Sequence, residues 1–241
     1  MPDLPDYTKE VTLKWSGGFV GLEELATRLG FPGPYNLQGN VVLMENFESE
    51  ETEWTDATDS LGSASSRSSR QKYSGDWSLK LSVVNVLNAY AARYRDIGFP
   101  GVSKYGLFTR FAWMDDLQRI WIDISFSSNG DLYQAYLRYT LPTTTLEILT
   151  PTDPWYSVAT DLELGRPTYT WYPILLTFNL ETGYYGKLYF AHQEYDISSK
   201  KLGSAGYFTT PYCRILIGAA RTAAAIFTVY VDDIIVVKNV P

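Results

Sequence analysis

The chain has 241 residues, 45% hydrophobic and 20% charged, a globular composition long enough for one large β-domain. Its formal net charge is −7, which disfavours non-specific nucleic-acid binding through clustered Lys and Arg. A single cysteine, Cys213, excludes an internal disulfide framework, and a single histidine, His192, excludes a histidine-rich zinc site.

Met1-Pro2-Asp3-Leu4-Pro5-Asp6 carries neither the basic nor the apolar stretch of a secretory leader. Val11-Thr12-Leu13-Lys14-Trp15 alternates like a short strand. Leu22, Leu25, Ala26 and Leu29 fall at helical spacing, with Glu23 and Glu24 in the first turn, Gly30 at the C-cap and Pro32 as a stop. Residues 1–39 therefore read as an arm of strand plus helix. It is too small to bury its own apolar stripe, and packs on its sandwich or on a neighbouring subunit.

From Val41 onward the pattern predicts strands at 41–47, 77–84, 88–95, 105–114, 119–127, 132–139, 145–149, 171–180, 186–191, 212–218 and 226–237. Residues 52–72 are Ser-, Thr-, Asp- and Gly-rich and read as a long loop or weak edge strand, with Arg67, Arg70 and Lys72 as solvated loop cations. Ser127-Ser128-Asn129-Gly130 and Glu181-Thr182-Gly183 are hairpin turns. Gly218, Arg221, Asp232 and Asp233 interrupt the most apolar stretch, 215–237, so it reads as two strands and no run reaches the length of a membrane span. The expectation is an all-β antiparallel sandwich over 40–241.

Three segments carry a resemblance: Glu45-Asn46-Phe47-Glu48, Tyr73-Ser74-Gly75-Asp76-Trp77-Ser78-Leu79-Lys80-Leu81, and Tyr230-Val231-Asp232-Asp233-Ile234-Ile235-Val236-Val237. Together they resemble the punctuation of jelly-roll β-sandwiches of the carbohydrate-binding-module and concanavalin-A-like type. Trp171 to Gly183, continued by Lys187 to Ile197, is similar to a strand pair of the concanavalin-A-like and laminin-G-like domains, with Asn179 where those carry Asp. The resemblance implies that the last strand lies beside the first. It also implies a structural calcium held by Glu48, Asp76 in the Ser74-Gly75-Asp76 loop, and Asp232 or Asp233. Oxygen ligands of this kind suit a hard cation. Gly21-Leu22-Glu23-Glu24-Leu25-Ala26-Thr27-Arg28-Leu29-Gly30, with Gly39-Asn40-Val41-Val42-Leu43-Met44-Glu45, is similar to uncharacterised tailed-phage virion proteins.

Retaining glucanases of this fold place two glutamates on one strand as E-x-D-x-E. Trp121-Ile122-Asp123-Ile124-Ser125 matches only the central Asp123, so no catalytic residue is assigned. His192 has no Ser or Cys partner in the sequence and reads as a turn histidine, and Cys213 as a buried strand thiol. For glycan stacking the candidates are Trp155, Tyr156, Tyr169, Trp171 and Tyr184. Trp155 leads as a loop aromatic after Pro154, and Trp77, Trp113 and Trp121 read as core.

Three functions remain. The first is a non-enzymatic virion subunit, for capsid decoration or surface display, that forms homo-oligomers and meets other virion proteins through residues 1–39. The second is a carbohydrate-binding module or lectin-like domain, and the third a glycan-active enzyme, disfavoured by the missing glutamates. The expected location is a virion or an extracellular surface.

Overall fold

A computed structural model describes residues 39–49, 53–59, 61–115, 118–128, 130–165, 170–204, 210–221 and 226–241. The chain divides into units 1–36 and 37–241. The strand and helix expected within 1–38 lie outside the described residues.

Sixteen strands follow in order: β1 Asn40–Glu45, β2 Thr55–Asp56, β3 Ala64–Ser68, β4 Ser78–Val83, β5 Tyr90–Ile97, β6 Lys104–Asp115, β7 Arg119–Ser128, β8 Asp131–Thr140, β9 Thr145–Ile148, β10 Tyr156–Ala159, β11 Tyr172–Asn179, β12 Tyr184–Phe190, β13 Gln193–Asp196, β14 Gly203–Ser204, β15 Tyr212–Ala220 and β16 Phe227–Lys238. They pair antiparallel into two eight-stranded sheets. The first runs β13-β12-β11-β6-β16-β4-β3, with β1 added against β16. The second runs β10-β9-β8-β7-β15-β5-β2, with β14 added against β8. The jelly-roll, concanavalin-A-like sandwich is thus present, and the last strand does lie beside the first, with Met44 opposite Ile235.

Strict alternation makes the sandwich. In β7, Ile120, Ile122, Ile124 and Phe126 are buried in the core, while Trp121, Asp123, Ser125 and Ser127 point to the other side. β15 does the same with Cys213, Ile215, Ile217 and Ala219. Between the sheets the aromatics interlock: Tyr105 lies 4.8 Å from Phe126, and Trp113 stacks on Tyr172 at 5.0 Å.

The strands at 11 expected places form with ends shifted by one or two residues. β10, β13 and β14 were not expected, because at two to four residues they are too short to show a period. β13 is fixed by a two-residue turn in which Ala191 and His192 both take positive φ, which leaves His192 exposed. Cys213 is buried and free, and burial pushes its thiol pKa up.

β16 is the seam of the first sheet. Between Asp232 and Ile235 its register against β6 shifts, with Asp233 at φ 52°. Before this bulge the strand pairs with β4, and after it with β1. The bulge turns both aspartates toward the 73–77 loop. Asp232 accepts hydrogen bonds from the backbone N–H of Tyr73 (2.9 Å) and Ser74 (3.1 Å) and from that of Asp233 (2.8 Å). Asp233 accepts from Ser74 Oγ (2.7 Å) and pairs with buried Arg110, whose guanidinium lies 3.8 Å from the Tyr73 ring centroid. Glu48 accepts from the N–H of Asp76 (2.9 Å) and Trp77 (2.8 Å).

One basic residue of the 52–72 stretch is not a solvated loop cation. Arg67 lies in β3 and donates to the carbonyls of Phe47 (2.8 Å) and Glu48 (3.0 Å), with its guanidinium over Trp77. Trp77 is accordingly half-buried under a cation rather than in the core, where only Trp113 of the three expected indoles sits. Across the sheets, Arg95 of β5 reaches Glu45 of β1 at 3.2 Å, and Glu45 also accepts from Trp54 Nε1 at 3.1 Å.

Gly75 has φ 60°, and a Cβ there would stand 2.4 Å from Glu48 Oε1. Gly75→Ala is expected to lower unfolding stability by about 1–3 kcal/mol, read by thermal or denaturant unfolding. A change within error would mean that the loop does not depend on this contact.

Candidate functional site

The outward face of the second sheet collects the unused chemistry. Antiparallel register lays its side chains in rungs. One rung reads Ala92, Gly218, Trp121, Arg138 and Glu147. The next reads Tyr94, Leu216, Asp123 and Tyr136, and the one after it Asp96, Arg214, Ser125 and Gln134. At the other end lie Tyr90, Ala220, Arg119, Thr140 and Thr145. Directly paired residues on such a face have Cβ atoms about 4.5–5.5 Å apart, within reach of one sugar ring.

Trp121 dominates the face. A Cβ on Gly218 would lie 2.1–2.7 Å from three atoms of its ring, so the indole lies against bare backbone. Tyr90, 38% exposed, meets it edge-on at 6.3 Å. The expectation that Trp121 is core is therefore corrected. It is half-buried and shares its strand face with Asp123 and Ser125, the polar partners that could have revealed it in the sequence.

Beside it Arg138 donates to both carboxylate oxygens of Glu147, at 2.6 and 3.1 Å, and its guanidinium lies 3.3 Å from the centroid of Trp155. Trp155 also meets Tyr136 edge-on at 5.2 Å. Asp123 is buried below, accepting from Ser125 Oγ at 3.0 Å and Gln134 Nε2 at 3.0 Å. Burial pushes its pKa up to about 6, and the two donors and Arg214 only partly offset that. Arg214 itself makes two bonds to Asp96, 2.7 and 2.8 Å long, and covers Tyr94 at 4.2 Å. The result is a shallow face of aromatic rings separated by fixed hydrogen-bonding groups.

Of the five aromatics expected from sequence, the four that are described do not gather. Trp155 belongs to this face. Tyr156 points to its opposite side because adjacent residues alternate, packing against the core with Lys200 Nζ 3.7 Å from its ring. Trp171 and Tyr184 share the outward side of the first sheet, where Trp171 meets Tyr73 edge-on at 6.1 Å and Tyr184 lies near Lys201. Tyr169 lies outside the described residues.

The carboxylates expected to hold calcium are engaged otherwise. Glu48, Asp232 and Asp233 receive the N–H, O–H and guanidinium donors described above, and exposed Asp76 pairs with Lys72 at 3.0 Å. Among the described residues no group of three or more His, Cys, Asp or Glu is gathered around a common point. Protein donors thus meet at least one oxygen of each of these carboxylates, Glu48 at Oε1 and Asp76 at Oδ1, and both oxygens of Asp232 and Asp233. Burial, with Asp233 alongside, pushes the Asp232 pKa up to about 7.

For hydrolysis, Asp123 is flanked on its strand face by Trp121 and Ser125, and Glu147 on the same face is tied to Arg138. No helix among the described residues is long and apolar enough to cross a membrane.

No family model and no curated protein matches the chain. Solved structures do. A carbohydrate esterase from Shiga toxin-encoding bacteriophage phi24B aligns with TM-score 0.54 and 13% identity, over 83% of this chain and 99% of the other. An endo-β-1,4-glucuronan lyase from the fungus Trichoderma reesei aligns with TM-score 0.51 and 12% identity, over 83% and 96%. Lectin I-B4 from Griffonia simplicifolia, in its metal-free form, aligns with TM-score 0.50 and 10% identity, over 82% and 100%. At such identities the likeness establishes the fold alone.

Two outcomes test this geometry. The raised Asp123 pKa means that the folded state holds the proton more tightly than the unfolded state. Its stabilising share is complete below about pH 4 and is lost as pH rises through about 6. Asp123→Asn should therefore gain stability relative to the parent between pH 4 and 8, by about 1–3 kcal/mol, measured by denaturant unfolding at each pH. Equal pH profiles would refute the buried carboxylate. Gly218→Ala should displace the Trp121 indole and shift the tryptophan emission, while the far-ultraviolet circular dichroism of the strands stays unchanged. An unaltered emission spectrum would count against the indole's flat seat.

Proposed function

We propose that the chain is a glycan-binding protein, whose ligand lies across the outward face of β5, β15, β7, β8 and β9. The observation that carries this reading is Trp121. It is a large apolar ring seated flat on Gly218 at a partly solvent-exposed position, with Arg138 and Glu147 on its rung and Asp123 one rung away. An indole of this kind stacks on the C–H face of a sugar, and fixed donors and acceptors around it bond the hydroxyls. Trp155 extends the platform toward β9 and β10. The names of the aligned lectin, esterase and lyase, each a carbohydrate protein, support the same reading.

The reading is of binding without turnover. Asp123 has no second free carboxylate on its strand face to complete a nucleophile and acid pair.

A virion-surface role is a second reading, favoured by the fold shared with a phage-encoded esterase and by the resemblance of Gly21 to Gly30 and Gly39 to Glu45 to tailed-phage virion proteins. The two agree if the protein displays its glycan face on a particle. Homo-oligomers through residues 1–39 belong to this second reading.

Titration against an oligosaccharide panel should quench tryptophan fluorescence for at least one glycan. Trp121→Ala should weaken that binding roughly 5- to 150-fold, the equivalent of about 1–3 kcal/mol per lost stacking ring by analogy with base stacking. Trp171→Ala, on the other sheet, should leave it unchanged. Loss in Trp171→Ala with retention in Trp121→Ala would move the site to the first sheet.

A further inference from the structure

The end of this face beside Trp121 has a charge imbalance that neutral sugars do not require. Arg119 and Arg138 project from β7 and β8 on the same face, one rung apart. One carboxylate, Glu147, serves both, and Arg138 takes it with two hydrogen bonds. Arg119 is half-buried, and its one hydrogen bond runs from Nε to the neutral Thr140 Oγ1 at 3.2 Å. Among the described residues it forms no ion pair. The other arginines on this face do, as Arg214 with Asp96 and Arg138 with Glu147 show.

A guanidinium that is partly desolvated and lies beside a second one is held at an energetic cost unless an anion arrives. Burial, and then Arg138, do depress the Arg119 pKa, although it stays fully charged at neutral pH. Its remaining N–H groups form the planar fork that matches a carboxylate or a sulfate oxygen pair. Along β7 the Cα of Arg119 stands about 6.6–6.8 Å from that of Trp121, so the two side chains are neighbours on one face.

We propose that the protein selects acidic glycans, with Arg119 receiving the anionic substituent of the sugar stacked on Trp121. The inference rests on the glycan-binding reading and narrows its ligand class to sugars bearing a carboxylate or a sulfate ester.

The test uses the full chain and three matched β-1,4-linked hexamers: glucose, its C6-oxidised glucuronate form and its 6-O-sulfated form. Calorimetric titration in low salt should give roughly tenfold tighter binding for at least one acidic form than for the neutral one. Whichever acidic form is preferred identifies the anion. The preference should fade in about 1 M NaCl, where the screening length falls to about 3 Å.

Arg119→Gln should bring the acidic and neutral affinities together, while Arg119→Lys, which keeps charge without the fork, should retain part of the preference. The salt dependence of the parent chain keeps the test valid if a variant fails to fold. Equal affinity for the neutral and acidic hexamers overturns this inference and leaves glycan binding standing. An acidic preference that survives in Arg119→Gln overturns the assignment to Arg119. A chain that binds none of these hexamers and no member of the wider panel overturns both.

Discussion

The bulge at Asp232 and Asp233 is the constraint on which the first sheet depends. β16 is its central strand and must serve two partners on one edge, β4 along its first half and β1 along its second. A regular strand would carry both at one register. The extra residue, with Asp233 in left-handed conformation, shifts that register and frees two carboxylates from the ladder. Those carboxylates then collect the loop that enters β4, so β1, β4 and β16 are fastened at one junction. Arg110 and Tyr73 close it from above. Backbone N–H groups, a serine hydroxyl and an arginine do there what a divalent cation could otherwise do.

In the second sheet the register shift is confined to the β9–β10 pair, and the four strands that carry the candidate face are regular. β5, β15, β7 and β8 pair without a break in register across their shared length. Every second residue therefore reaches the same outward surface in straight rows. The core side takes Ile, Phe, Ala and Cys, and the other side is free to hold tyrosine, tryptophan and polar groups. Asp123 shows what this arrangement costs. A carboxylate with a pKa near 6 is destabilising at neutral pH, and it sits where the aromatic rungs meet. Such a burden fits a group kept for recognition rather than for folding.

The sequence made much of the fold legible and little of the site. Alternation from Arg119 to Ser127 located β7, and the paired apolar runs around Gly218 and Asp232 located β15 and β16. The Phe47-Glu48, Ser74-Gly75 and Asp232-Asp233 elements pointed to the junction, where the three carboxylates accept the loop's hydrogen bonds. The site failed for a specific reason. Trp121 alternates with Ile120 and Ile122, and large apolar residues in both phases hide which phase faces the core. Only its agreement in phase with Asp123 and Ser125 distinguished the outward side. Gly218 could not be matched to Trp121 without the β7–β15 register. Pro154 marked the loop that places Trp155 beside Arg138 and Tyr136, whereas Trp171 and Tyr184 resembled it in composition but lay on the opposite sheet.

The seat of Trp121 on Gly218 has a further consequence for kinetics. A free indole on a surface samples several rotamers, and a ligand that stacks on it must first select one. Here the backbone beneath and Tyr90 at the edge have already restricted that choice during folding. Encounter then needs no rearrangement of the principal contact. On the glycan-binding reading, association rates for different sugars should consequently be similar, and discrimination among them should reside in how long each complex lasts.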